Sequence, residues 1–387
     1  MSNAVSRFID AMRWLAALMV ALHHANNMFI NQADLMKAEH WPPVYAWWFI
    51  TAYTFAHGAV VVFFVLSGFL VGGTTVERAR AGKPYIRRYL IDRTSRIYIV
   101  LLPALALSFV LDTFGSRLFA GLGAYEHPVY QAAMKAEYLL PSLFGLQGIW
   151  FPTYGTNGAL WSLGMEYWYY VVCGLVLLPL SAAYSKGQKG VGLALAAGVF
   201  IALALSPSYF LFGASLWALG ALVRIAPRPL IRSRWLALLI WVAAMVAIRL
   251  LTRGAIIEDH PRKELIDAVN ALLVANLLLT LRFDESEGFS FCRWKLHAAL
   301  SGFSYSLYAI HWPVMMWTLG VTLMIFGAGW NLQLATPLHY AVAIAALAFV
   351  IFVAWAFSRI TEARTDVLRL WIGRLLPGDA STGAKRG

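Results

Sequence analysis

Apolar residues in this chain come in long runs separated by short polar connections. The runs lie at about 12–30, 47–72, 97–114, 159–180, 191–206, 208–224, 235–252, 264–281, 299–327 and 339–358. Each approaches the ~20 residues that a helix needs to cross the hydrocarbon of a bilayer. A helix satisfies its own backbone hydrogen bonds, which lipid cannot do for it. The pattern therefore predicts an all-α, polytopic membrane protein with about ten transmembrane helices. Residues 1–360 form the expected transmembrane domain. Residues 361–387 form an expected cytoplasmic tail, partly disordered at its polar end, "PGDASTGAKRG".

The polar connections set the orientation. The connection after the second run holds Arg78, Arg80, Lys83, Arg87, Arg88, Arg93 and Arg96, whereas the longer 115–158 holds only Arg117 and Lys135. Arg224, Arg228, Arg232 and Arg234 fall on the side of the 78–96 segment, as do Arg364 and Arg374. Short cytoplasmic loops are the ones rich in Lys and Arg, so both termini are predicted to be cytoplasmic. Residues 253–263 run against the pattern, with Arg253, Arg262 and Lys263 on the predicted outer side. The 115–158 segment is too long for a plain connector, and its aromatics, Gly and Pro suit a segment lying on the membrane or dipping into it.

Composition sharpens this picture. The chain is 60% hydrophobic and 13% charged, against about 25% charged for a typical soluble domain. Sixteen Trp and 17 Tyr fit aromatic belts at the two interfaces. The net charge of +12 is accounted for by basic inner loops, and no nucleic-acid partner is expected. Asp10 and Arg13 flank the first run and no small-residue cleavage site clearly follows it, so this run is expected to be a retained span. Cys173 and Cys292 make neither a disulfide framework nor a zinc pattern, and no metal site is expected.

Ionisable residues inside the runs are the candidates for chemistry, because they are costly in hydrocarbon. Arg13 and His24 are eleven residues apart, close to three helical turns. They share a face, about 16 Å apart along the axis, with His23 turned about 100° away. Such a face offers a cation to an anionic ligand at one end and an imidazole deeper in. The plainer alternative is a snorkelling arginine and a structural histidine. Arg93 and Arg96 are neighbours on a helix face and suit phosphate, which each guanidinium can bind bidentately. An ordinary topogenic loop would carry the same charges. Glu166, inside the fourth run and expected in its outer half, needs a partner, and a histidine that it orients is the expected one. Ser67, before Gly68, marks a close helix crossing. His311, within "SYSLYAIHWP", is a second-rank candidate, as are Arg87 and Arg88.

The succession "FIDAMRWLAALMVALHH", "FFVLSGFL", "RRYLIDRTSRIY", "LWSLGMEYWYY" and "SYSLYAIHWP", in this order, resembles acyltransferase family 3, the integral membrane O-acyltransferases. The resemblance spans nearly the whole chain. The family's pattern of Arg, ten residues, then His matches Arg13 and His24, and its Arg-x-x-Arg matches Arg93 and Arg96. The resemblance implies transfer of an acyl group, acetyl first among the candidates, from cytosolic acyl-CoA to a hydroxyl of an extracytoplasmic or membrane-linked glycan or similar acceptor. It implies a multi-pass protein of the cell inner membrane with no bound cofactor, acyl-CoA being the donor substrate. In this reading His24 and Glu166 are catalytic, and Arg13, Arg93 and Arg96 bind acyl-CoA. Some relatives carry a fused hydrolase-like domain; none is visible here, so a relay through one is not expected. The rival reading is a proton-coupled transporter, which should often show internal repeats. None is evident in this sequence.

Overall fold

The computed structural model describes residues 2–31, 42–252 and 262–375. Within them the chain is helical throughout, apart from turns, and forms no β-strand. Each of the ten apolar runs overlaps one long helix. These are α1 (Asn3–Phe29), α2 (Tyr53–Ser67), α3 (Ile86–Leu118), α4 (Trp161–Val176), α5 (Lys186–Ala204), α6 (Phe210–Ile225), α7 (Arg234–Thr252), α8 (Lys263–Arg282), α9 (Ser304–Phe326) and α10 (Pro337–Ile360).

Eight of the ten, all but α1 and α6, lie in segments long and apolar enough to cross a membrane. The two exceptions fail for different reasons. At 16 residues α6 is short. At 27 residues α1 is long, but it carries Arg7, Asp10, Arg13, His23 and His24. Packing resolves the second case. α1 sits at the centre of the bundle, against α2, α8, α9 and α10. Apolar neighbours thus separate its polar residues from the surroundings, whereas α5 and α7 are mostly exposed on the periphery. Polar span inside and apolar spans outside is the arrangement that lipid demands.

α2 does not end at Ser67. It passes through a π turn at Gly68–Gly72 and continues as a helix over Gly73–Arg80. The π turn lies where α2 crosses α6. A Cβ on Gly68 would come 1.8 Å from the Trp217 carbonyl oxygen, and one on Gly220 would come 2.0 Å from that of Val65. The two backbones touch, which only glycine allows, in line with the close approach expected beside Ser67.

The segment between α3 and α4 folds back over the bundle end opposite to the 78–96 segment. Buried Asp112, near the end of α3, takes two hydrogen bonds of 2.8 Å from Thr156, through its backbone N–H and its hydroxyl. Gly155 beside it has a φ of +65°, and a Cβ there would meet the Asp112 carboxylate at 2.0 Å. Asn157 then reaches across to α9. Its amide donates to the Ser108 hydroxyl and to the Ala309 carbonyl, both at 2.9 Å. Ala309 is four residues before Pro313, which has no N–H to offer that carbonyl. Asn157 supplies the missing donor.

Beyond α10 a turn at Glu362–Arg364 leads into α11 (Thr365–Leu375), which lies along α3. The Asp92–Arg369 ion pair, 3.0 Å, and a hydrogen bond from Arg87 to the Gly373 carbonyl, 2.9 Å, hold it there. The tail expected to be partly disordered is thus helical as far as residue 375. Its last twelve residues, like the basic 253–261, lie outside the described residues.

Candidate active site

A cavity of about 180 Å³ opens among α1, α2, α3, α4 and α9. Arg13, Arg93 and Arg96 line it, as do Ser67, Glu166, Tyr170, Tyr305 and Tyr308, with apolar walls from residues such as Phe63, Phe64 and Leu163. The three arginines come from the early turns of α1 and α3, so they mark the end of the bundle that carries the basic segment. The first link is sequence spacing. Arg93 and Arg96 are one turn apart and therefore face the same space.

The walls hold an ordered hydrogen-bond chain. Trp217 Nε1 donates to Ser67 Oγ at 3.0 Å. Ser67 and Tyr170 share a hydrogen bond of 3.0 Å, and the Tyr170 hydroxyl donates to Glu166. An ionised carboxylate only accepts, so the donors run one way: Trp217 to Ser67 to Tyr170 to Glu166. Glu166 ends the chain as its final acceptor. This differs from the expected arrangement. Glu166 shares the arginine cavity and makes no hydrogen bond with His24; the side of α4 that packs between α2 and α3 turns its carboxylate to that cavity.

The arginines are not equivalent. Arg96 donates to Glu362 Oε1 at 2.9 Å, and Arg13 lies 3.7 Å from the same oxygen. The other oxygen of Glu362 accepts from the backbone N–H and the hydroxyl of Ser306, both at 3.2 Å. That N–H is one of the unpaired donors in the first turn of α9, so the buried Glu362 also caps this helix. Arg93 differs. Among the described residues it makes no hydrogen bond and no ion pair, and its Nε is buried without a partner. Its guanidinium stands 6.0 Å from the Tyr170 ring centre. The Tyr305 hydroxyl in the same cavity is also buried and unpaired. A cation and a hydroxyl, both unmatched and both facing one cavity, suit an anionic, oxygen-rich ligand. Arg87 and Arg88 do not line the cavity. Arg87 is engaged by α11, and Arg88 is exposed.

His24 stands further along α1, outside the cavity lining. Its ring centre is 4.1 Å from Trp312, 5.3 Å from His311 and 5.2 Å from His23. No hydrogen bond to it is found among the described residues. His23 is otherwise. Its Nδ1 bonds to the Thr51 carbonyl at 2.7 Å and its Nε2 to the Asn27 amide at 2.9 Å, so both nitrogens are committed to structure. Tyr308 separates the cavity from the histidines. It lines the cavity, bonds Ser162 at 2.7 Å, and its ring lies 6.0 Å from that of His311.

The structure thus brings Arg13, Arg93, Arg96, Glu166 and Ser67 into one cavity and sets His24 beside His311. Sequence reasoning missed Glu362, Tyr170 and Tyr305. Two signals existed. Tyr170 is one turn beyond Glu166, and Glu362 is an acidic residue among basic ones directly after the last apolar run.

The family model of an acyltransferase domain, acyltransferase family 3, matches residues 6–359. No curated protein sequence and no solved structure matches the chain. The matched stretch takes in the ten long helices, apart from the first residues of α1 and the last of α10, and every residue of the cavity and of the histidine pair; Glu362 and α11 lie beyond it. An intramembrane cavity with a cationic end, a central polar helix and a match over nearly its whole length place this multi-pass membrane protein in acyltransferase family 3.

Proposed function

We propose that this protein moves an acyl group, acetyl in the first instance, from cytosolic acyl-CoA to a hydroxyl of an extracytoplasmic or membrane-linked glycan. The observation that carries this reading is the unmatched Arg93 in a cavity that begins among arginines and closes at Tyr308, next to the histidines. Acyl-CoA has the matching shape: charged phosphates at one end, a long thin arm, and a thioester at the other. Arg93, with Arg13 and Arg96, holds the phosphates by charge-assisted hydrogen bonds. The arm follows the cavity wall past Tyr308 toward His24.

His24 is the base of the reaction. A neutral imidazole carries a lone pair that can take up a proton and give it back. It takes the proton of the acceptor hydroxyl while that oxygen attacks the thioester carbon. The new C–O bond forms, the C–S bond breaks, and His24 returns the proton to the CoA sulfur. Glu166 acts on the donor side, where it and the Tyr170–Ser67 chain hold one wall of the cavity in place.

In this reading the basic end of the bundle and both termini are cytoplasmic, and the protein resides in the cell inner membrane. A single cysteine at the exposed position 88, labelled with an impermeant reagent, should stay unlabelled in intact cells and react in inverted vesicles; labelling from outside rejects the orientation. The acceptor is identified by mass spectrometry of envelope glycans from cells with and without the protein. An added acyl mass, lost with His24→Ala, is expected. Identical glycan masses in the two strains reject a glycan acceptor.

A further inference from the structure

We propose that His311 is the positioning partner of His24, its unpaired Nε2 accepting the N–H on the ring nitrogen that His24 does not use as base. The inference rests on the reading of His24 as the base and adds to it a second residue with a defined role.

Three observations carry it. His311 is fully buried, and its Nδ1 lies 2.8 Å from the Tyr308 carbonyl. A carbonyl only accepts, so Nδ1 carries the hydrogen and Nε2 is a bare lone pair; the tautomer is assigned from this contact. That Nε2 has no hydrogen-bond partner among the described residues. Buried polar atoms are nearly always paired, and an unpaired one at a site of chemistry calls for an explanation. Lastly, the His24 ring lies 5.3 Å away, centre to centre, with its plane within 24° of that of His311. Two imidazoles joined by an ordinary N–H···N bond have ring centres roughly 5 Å apart, so the spacing of this pair is within reach of one. The bond is not made in the structure; in this proposal it forms as the reactants bind. Catalytic hydrogen bonds commonly tighten only when the reactants are bound.

The surroundings fix one partner and leave the other adjustable. Asn157 holds the Ala309 carbonyl at the proline-broken turn of α9, and the Tyr308 carbonyl holds the His311 ring. His24 has no such tie. Trp312, at 4.1 Å, packs on its ring without bonding its nitrogens. The expected orienting carboxylate, Glu166, is occupied by Tyr170 in the cavity.

The chemistry balances without a further reactant. With the reactants bound, His24 donates one N–H to His311 Nε2, which leaves its other nitrogen as a lone pair directed at the acceptor hydroxyl. After proton uptake His24 is a cation, and His311 accepts from it more strongly. When the C–S bond breaks, the proton goes to sulfur and the pair returns to its starting state. His311 itself neither gains nor loses a proton.

The test uses membrane vesicles carrying the full chain, titrated with radiolabelled acetyl-CoA, with label incorporated into envelope material as the readout. His311→Gln and His311→Asn separate the roles. The Gln carbonyl oxygen takes the place of Nε2 as acceptor, while the Asn amide takes the place of Nδ1 toward Tyr308. His311→Ala should lower the maximal rate about 10- to 100-fold with the half-saturating acetyl-CoA unchanged. Gln should recover part of that loss and Asn should not, although Asn restores the thermal stability of the purified protein. Recovery by Asn and not by Gln, or a normal maximal rate for His311→Ala, overturns the proposal. His24→Ala is assayed in parallel. If it is inactive while His311→Ala is normal, only the His311 role fails; if it is active, the base assignment fails and the pair with it.

Discussion

The two ends of the polar face of α1 are built on opposite plans. Around Arg13 nearly every charge is answered: Arg96 and Arg13 by Glu362, and Glu166 by the Tyr170, Ser67 and Trp217 chain. Around His24 the rings touch, and His24 itself makes no hydrogen bond among the described residues. The difference follows from what each group costs when unmatched. A permanent charge away from water is expensive without a partner, so the arginine end must be assembled beforehand. A neutral imidazole is cheaper to leave open, so the reacting group can wait for its substrate. Donor binding is preset at one end, and the reacting position at the other is held open by packing alone.

The sharpest way to break that contrast is at its open end. His24→Ala should lower acyl transfer by about 10²–10⁴-fold, the usual worth of general acid–base catalysis, and no excess of donor should restore it. His23→Ala should be milder, because His23 spends both nitrogens on Thr51 and Asn27. The measurement is label transfer across an acetyl-CoA titration. Equal losses for the two variants would mean that the contrast between a bare and a tied histidine has no functional meaning.

The preset end should behave differently, and its arginines should differ among themselves. Arg93→Ala removes the unmatched cation. It should raise the half-saturating acyl-CoA about 10- to 150-fold, the equivalent of a charge-assisted contact worth about 1.5–3 kcal/mol, and high donor should recover the rate. Arg93→Lys should recover part, keeping the charge and losing the planar fork. Arg96→Ala and Arg13→Ala should show smaller shifts of the same kind, since both side chains are already shared with Glu362. Equal shifts for Arg93 and Arg96 would contradict the division between matched and unmatched cations.

Much of this was legible in the chain because helices carry their own period. The apolar runs gave all ten long helices, and the eleven-residue spacing put Arg13 and His24 on one face of α1. That α1 is central could be suspected from its polar content, since such a span needs shelter. What the sequence could not reveal were pairings set by how helices rotate against one another. Glu166 was expected to orient a histidine and instead ends the Tyr170 chain, because its direction depends on how α4 packs between α2 and α3. The ion pair from Arg96 to Glu362 spans 266 residues, and no local pattern announces it. Asn157 and Pro313 answer each other across 156 positions for the same reason, a missing donor in one helix met by an amide from a distant segment.

The smallest expected effect is the most direct probe of how the preset end is balanced. Glu362 keeps Arg96 and Arg13 in place, and it also competes with the donor for them. Glu362→Gln retains one oxygen, which can accept either from Arg96 or from the Ser306 N–H, and it removes the negative charge. If positioning were its only contribution, the substitution would leave donor use unchanged or weaken it. If its charge also offsets the arginines, the cavity becomes more positive and phosphate binds more tightly. Arg96 is about one-third exposed, so solvent screens the pair and its worth is modest. Partly exposed pairs contribute about 0.2–1 kcal/mol, which sets the gain at no more than roughly fivefold. The expected outcome is a half-saturating acyl-CoA concentration lowered by up to that factor, shrinking as salt is added, because screening weakens the field of the freed charge. Glu362→Ala, which removes the acceptor as well, should instead weaken donor use and lower thermal stability through the lost cap on α9. Tighter donor binding in Gln with weaker binding in Ala separates the charge of Glu362 from its hydrogen bonds. A weaker affinity in both would mean that the carboxylate acts only as a positioning group.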